Sequence, residues 1–192
     1  IVHTMNALDD NPPGFDFLGF NVRHYAKKSG EGRKLLIKPA KKSVKCHRGN
    51  LADLLRKLRG VTQEQVIEAL NPRIRGWANY YRHVVSKQCF SKLDYELIWL
   101  LKCWGRHRHP NKRDEWILNR YWDHGDTRWE FRDGKLSLYK HADTEIVRHV
   151  KVIGSRSPFD GDMAYWTERA VRNSRSPLRA RLKVKQNNRC AK

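Results

Sequence analysis

The spacing of apolar residues along this chain switches from alternation to a helical period and back, and the switches mark out its elements. From Gly14 to Tyr25 apolar and other residues alternate, the period of a strand with one covered face. That pattern turns Phe15, Phe17 and Phe20 inward and suggests a bulge or a close backbone approach at Gly19. Lys34 to Lys38 reads as a second strand forming a hairpin with the first, ended by Pro39, which has no N–H to donate to a ladder. Asn50 is placed to cap a short helix over Leu51 to Leu58, with Gly60 as its stop. Thr62 and Gln65 form a capping box that opens a second helix through Leu70. Asn71 and Pro72 then read as the cap and first position of a third helix. On it Ile74, Trp77, Ala78, Tyr81, Val84 and Val85 share one arc, while Arg73, Arg75, Asn79, Tyr80, Arg82, His83, Ser86 and Lys87 share the other.

Phe90, Leu93, Leu97, Leu100, Leu101 and Trp104 recur at three- and four-residue spacing and predict a helix over Ser91 to Arg106. Its Leu-Ile-Trp-Leu-Leu run suggests burial on more than one side and a central place in the fold. A shorter helix follows from Lys112 to Trp122. Two alternating runs, Trp129 to Phe131 and Lys135 to Tyr139, flank Asp133-Gly134, a tight-turn pair, and predict a second hairpin. Ile146 to Ile153 is a third candidate strand, Ser155 to Asp162 a loop, and Met163 to Val171 a short helix. The expected fold class is α+β and mainly helical: an N-terminal β-hairpin, a bundle of three to four helices, and a small β-rich C-terminal part with a basic tail.

Charge sharpens these divisions. Between residues 21 and 60 thirteen Lys or Arg stand against only Glu31 and Asp53, whereas from Asp123 to Glu145 six acids outnumber four bases. From Arg169 onward there are nine bases and no acid. The expected boundaries are therefore 1–40, 41–122, 123–168 and 169–192. A net charge of +20 repels itself in a compact chain unless a polyanion neutralises it, which makes nucleic acid the leading partner over an anionic membrane surface. No run approaches the roughly 18 to 20 apolar residues of a membrane span, so no membrane is expected. Cys46, Cys89, Cys103 and Cys190 include no pair at zinc-site or redox-motif spacing, consistent with reduced thiols and a cytoplasmic setting, or an organelle. The start at Ile1 and the end at Lys192 suggest a segment of a longer protein.

No catalytic constellation stands out. Asp160-Gly161-Asp162 reads as a turn, and His107 and His109 lack further metal ligands at a convincing spacing and read as basic surface. The informative stretch is Arg73 to His83, where arginine and aromatic residues interleave. The arginine fork pairs with phosphate oxygens and stacks on unpaired bases. Trp77 and Tyr81 are expected in the core, with Arg75, Asn79 and Arg82 on a common exposed arc and Gly76 open to close approach.

The phrase Leu70-Asn71-Pro72-Arg73-Ile74-Arg75-Gly76-Trp77-Ala78-Asn79-Tyr80-Tyr81-Arg82 resembles the hallmark of the maturase domain, also called domain X or the thumb, of group II intron-encoded reverse transcriptases. Gly14 to Phe20 resembles the segment that closes the polymerase palm. Phe90 to Trp104, Arg108 to Lys112 and Arg120-Tyr121-Trp122 resemble later thumb elements. Arg148 to Val152 and Ser157 to Trp166 are similar to the connector that precedes an HNH endonuclease domain, and Leu182 to Cys190 to that domain's opening. The resemblance assigns 1–40 to the end of the palm, 41–122 to the thumb, 123–168 to a DNA-binding-like connector and 169–192 to a truncated HNH start.

It implies a chain that binds group II intron RNA and assists its folding and splicing, with target DNA as a second partner. The expected RNA-binding residues are Lys41, Lys42, Lys45, Arg48, Arg56, Arg59, Arg73, Arg75, Asn79, Arg82, His83 and Lys87. Those expected at DNA are Arg148, Lys151, Arg179, Arg181, Lys183 and Lys185. No enzyme activity and no cofactor are expected of this segment. The palm aspartates that hold magnesium in the parent polymerase do not precede Gly14, and Cys190 alone cannot complete the HNH zinc motif. The rivals are a DNA-targeting part of an intron endonuclease and an inactive remnant. The sequence leaves the oligomeric state open.

Overall fold

The computed structural model of the chain describes residues 4, 13–27, 30, 32–124, 129–147, 152–154 and 156–172. The fold is mainly helical α+β, in two compact units, Ile1–Val147 and Arg148–Lys192.

The first unit opens with three antiparallel strands, β1 (Phe15–Phe17), β2 (Phe20–Ala26) and β3 (Arg33–Pro39). Leu18 and Gly19 both take positive φ, 47° and 81°, and make a two-residue turn that pairs Phe17 with Phe20. Phe15 and Phe17 are therefore not turned inward: they are 40% and 62% exposed on the edge strand. Phe20 alone of the three is gripped, stacked on Tyr80 at 5.0 Å and edge-on to Tyr81 at 5.1 Å. The expected close approach at Gly19 is present. A Cβ there would stand 2.7 Å from Tyr81 Oη and 2.8 Å from Ser43 Oγ, and the Gly19 carbonyl accepts from Tyr81 Oη and from the Ala40 N–H.

Helix α1 runs Lys41–Lys57, well upstream of the expected start. Asn50 is an exposed mid-helix residue rather than a cap, because the buried row begins earlier, with half-buried Val44 followed by His47, Leu51 and Leu55 at three- and four-residue steps. The entry is set by Pro39 and extended Ala40, with no capping side chain to signal it. Helix α2, Gln63–Tyr81, begins at the expected capping box and continues through Pro72. Asn71 is therefore not a cap. Its side chain donates to Ser137 O at 3.1 Å and accepts from the Tyr139 N–H at 2.8 Å. Pro72 removes one helical N–H, which leaves the Glu68 carbonyl without its partner, but both residues lie on the exposed face where water can substitute.

Helix α3, Lys87–Arg108, buries Phe90, Leu93, Leu97, Leu101 and Trp104 on one face. The expected burial on a second side is not found: Tyr95, Ile98 and Trp99 are 62%, 40% and 46% exposed. Gly105 lets α4 (Asp114–Tyr121) approach, since a Cβ on it would lie 2.6 Å from Ile117 Cγ2. Trp122 leaves α4 to begin β4 (Trp122–His124), a strand not anticipated, which pairs with β5 (Trp129–Asp133). Next comes β6 (Leu136–Ser137), around the turn at Gly134. The reversal of charge after residue 122 does not divide the packing, because Trp122 and Phe131 belong to the same core as Leu51, Ile74 and Leu101. A 3-10 turn, His141–Asp143, then leads to Ile146 and Val147, which are not in a strand; residues 148–151 of the third candidate strand lie outside the described residues.

In the second unit α5 (Met163–Arg172) forms as expected. Asp160 and Asp162 organise the turn before it: Asp160 accepts from the Asp162 N–H and the Trp166 indole, and Asp162 accepts from the Tyr165 N–H and pairs with Arg156. The Trp166 indole for Asp160 and the Tyr165 N–H for Asp162, with Arg156 nearby, hold both carboxyls below the usual carboxylate range. The two acids are turn and cap residues.

Candidate nucleic-acid interface

Helical geometry sorts the basic residues of α1. Lys41, Lys45 and Arg48 recur at four and three residues and so form one row, beside the buried row of Val44, His47 and Leu51. That row faces a cleft of about 720 Å³ bounded by β3, α1 and α3. Lys38 from β3 and Lys92 from α3 join it, so five cations stand at the rim. Among the described residues Glu96 is the one carboxylate there, 3.1 Å from Arg48 and 4.0 Å from Lys92. Lys38 Nζ sits 3.8 Å over the Tyr25 ring, a contact that orders it without neutralising it. Lys41 and Lys45 have no carboxylate partner among the described residues. Lys38 and Lys92 were not among the residues anticipated. Neither the local pattern of β3 nor that of α3 points to α1, and only the three-dimensional packing brings them together.

The remaining candidates separate. Lys42 is exposed on α1 away from the cleft lining. Arg56 pairs with Asp53, and Arg56 and Arg59 line a smaller hollow of about 250 Å³ with Cys103 and Trp104. Arg73, Arg75 and Asn79 are exposed on α2, Arg75 lying 4.9 Å over the Tyr139 ring. Gly76 has open space where its side chain would be.

Arg82, the αR C-cap of α2, keeps its Nη1 3.5 Å from Asn79 Oδ1, while His83 and Lys87 lie beyond the helix. Arg82 is half-buried, its carbonyl accepting from the Val147 N–H and its Nε buried without a partner among the described residues. His83 Nδ1 lies 2.8 Å from Val147 O, and Lys87 Nζ donates to Ala142 O. Arg82, His83 and Lys87 thus fasten residues 142–147 over the α2–α3 junction. Arg148, Lys151, Arg179, Arg181, Lys183 and Lys185 lie outside the described residues.

The apolar side of the Arg73 to His83 stretch is a set of ties. Trp77 is half-buried and stacks on His47 at 4.6 Å and 11°, Tyr81 holds Gly19, and Tyr80 Oη donates to Leu18 O at 2.9 Å. Behind Trp77 lies a buried chain that sequence patterns gave no hint of, because its members come from α1, α3 and the 3-10 turn. His47 Nε2 is 2.9 Å from His141 Nε2, and His141 Nδ1 is 2.7 Å from Asp94 Oδ1. Asp94 also accepts the backbone N–H groups of His141 and Ala142 at 2.8 and 2.9 Å. With His141 Nδ1–H donating to Asp94, its Nε2 accepts from His47 Nε2–H, which satisfies both rings. Burial, with His141 beside it, lowers the His47 pKa to about 4. His47 therefore stays neutral near pH 7. The chain thereby ties α1 and α3 to the 3-10 turn.

Among the described residues no three His, Cys, Asp or Glu side chains gather to hold a metal ion, and no helix is long and apolar enough to cross a membrane. His109 instead meets Tyr121 Oη at 2.7 Å and the Trp116 ring edge-on. Cys190, the expected first zinc ligand, lies outside the described residues.

Residues 44–122, from the cleft helix α1 through the start of β4, match the family described as group II intron, maturase-specific domain. Over 127 residues the chain is also 27% identical to the Ribosomal operon-associated A protein of Euglena longa, covering 66% of this chain and 24% of that protein. The chain thus spans about a quarter of that relative's length. The matched span holds α2 with its Arg73 to Tyr81 stretch, the α3 core and most of the cleft. Over residues 44–122, then, the chain carries a stretch that matches the group II intron maturase-specific domain.

Proposed function

We propose that this chain binds group II intron RNA and assists the RNA's folding and splicing, with the RNA itself carrying out the chemistry. The observation that supports this best is the cleft beside α1, where Lys38, Lys41, Lys45, Arg48 and Lys92 face Glu96 alone within or next to the maturase region. Such an arrangement draws phosphates by releasing their counterions, a favourable step wherever charges are presented in a row. The rigidity of the helices fixes where those charges stand, so the shape of the folded RNA is selected along with its charge. Arg73 and Arg75 on α2 form a second exposed basic site.

The test is a pair of measurements on the whole chain. Affinity for a group II intron RNA is compared with that for a length-matched RNA of another fold at the same salt. Self-splicing is then followed at a magnesium concentration too low for the RNA alone. Preferential binding with restored splicing supports the proposal; equal binding and no stimulation of splicing refute it.

A further inference from the structure

The floor of the α1 cleft is apolar, made by Leu36 and Pro39 of β3, Val44 of α1 and Val85 of the α2–α3 junction. A surface that only gathers phosphates needs no such floor, since a phosphate held by lysines keeps much of its hydration. The volume, about 720 Å³, falls among pockets that enclose small organic ligands, roughly 300–1,000 Å³. Gln88 adds a side-chain amide to the wall, able to donate and accept, as the edge of a nucleobase requires. An apolar floor, a hydrogen-bonding wall and a cationic rim match the three parts of a nucleotide: base faces, base edge and phosphate.

We propose that this cleft seats an unpaired nucleotide of the bound RNA, its base against Leu36, Pro39, Val44 and Val85 and its flanking phosphates at Lys41, Lys45 and Lys92. The inference rests on the RNA-binding function proposed above and adds a selectivity to it. A paired base has its edge occupied and its faces stacked, and must be flipped out before it can enter. Bulged or single-stranded positions meet no such barrier, so they are held in preference to duplex. Burial raises the Cys89 thiol to about 11, so the wall carries no thiolate to oppose the phosphates.

The experiment measures binding of the whole chain to three RNA hairpins of one sequence: fully paired, with a single bulged nucleotide, and with the same bulge made abasic. The abasic bulge keeps the phosphate and removes only the base. The wild-type chain should bind the base-bearing bulge about five- to tenfold more tightly than the abasic one, the low end of what stacking on aromatic side chains gives, since this floor is aliphatic. Val85→Trp and Val44→Trp fill the floor and should each erase that difference, with the far-UV spectrum and thermal melt reporting whether the fold is retained. Gln88→Ala, at an exposed position, should narrow the difference without changing the far-UV spectrum.

Equal binding of the two bulged hairpins overturns the proposal, as does a difference that survives both tryptophan variants. Binding of all hairpins without preference for the base overturns this inference and leaves the RNA-binding function standing. Binding of none overturns both, and an acidic peptide with apolar side chains becomes the occupant to examine.

Discussion

Replacing Asp94 with alanine should loosen the maturase region from the inside. The carboxylate is 15% exposed and accepts from His141 Nδ1 at 2.7 Å, from the His141 N–H at 2.8 Å and from the Ala142 N–H at 2.9 Å. His141 is fully buried, so its ring loses its partner with no bulk water to replace it. Removing one member of a buried charged hydrogen-bonded set costs about 3–5 kcal/mol, because the groups left behind are desolvated and unpaired. Set against a typical stability of about 5–15 kcal/mol, that is a large fraction. Asp94→Asn keeps one acceptor oxygen and should cost less, on the order of 1–2 kcal/mol. Urea denaturation followed by tryptophan fluorescence reads both, and hydrogen exchange at Ala142 should rise in the alanine variant before the α2 and α3 amides change. A loss under about 1 kcal/mol, or exchange at Ala142 unchanged, would refute the clamp.

Acid should weaken the same assembly. His47 has a folded-state pKa of about 4 against 6.5 when unfolded, so between those values the unfolded chain binds the extra proton. Its contribution is fully present above pH 6.5 and is lost as the pH falls to about 4. It amounts to roughly 2–3 kcal/mol after allowance for solvent screening. Denaturation curves across this window should show a steeper acid-side decline in wild type than in His47→Gln, and parallel declines would contradict the assignment. Gly105→Ala should destabilise by about 1–2 kcal/mol, as crowding of Ile117 at 2.6 Å outweighs alanine's better helix propensity. Thermal melts that show stabilisation would mean α4 shifts freely.

What could be read from the sequence was what local geometry controls. The capping box at Thr62, the hairpin partners β2 and β3, the turn at Gly134 and the inward face of Ile74, Ala78 and Tyr81 each follow from residues within a turn or two of one another. The departures share a cause. Phe15 and Phe17 alternate like covered residues, but no element among the described residues covers that edge strand. Asn50 resembles a cap although α1 has a buried row extending back to Val44. Pro72 looks like a start although α2 has enough tertiary packing on both sides of it to continue. Arg82 caps α2 in helical geometry beside Asn79, but is half-buried because Val147 packs on its carbonyl. Of the candidate site the sequence displayed only a dense run of cations ahead of the expected helix; that Lys41, Lys45 and Arg48 form one row followed from the earlier start of α1, and Lys38, Lys92, the apolar floor and the Asp94–His141–His47 chain exist only through packing of segments distant in sequence.

The central claim is that the α1 row takes phosphates of RNA, and a salt titration of intron RNA binding tests it most directly. Wild type is compared with the triple variant Lys41→Ala, Lys45→Ala, Arg48→Ala at several ionic strengths. If each cation meets a phosphate, the slope of log affinity against log salt should become shallower by about two to three. Helicity should be unchanged, since all three side chains are exposed. An unchanged slope with intact affinity would contradict the account and move the RNA to another face.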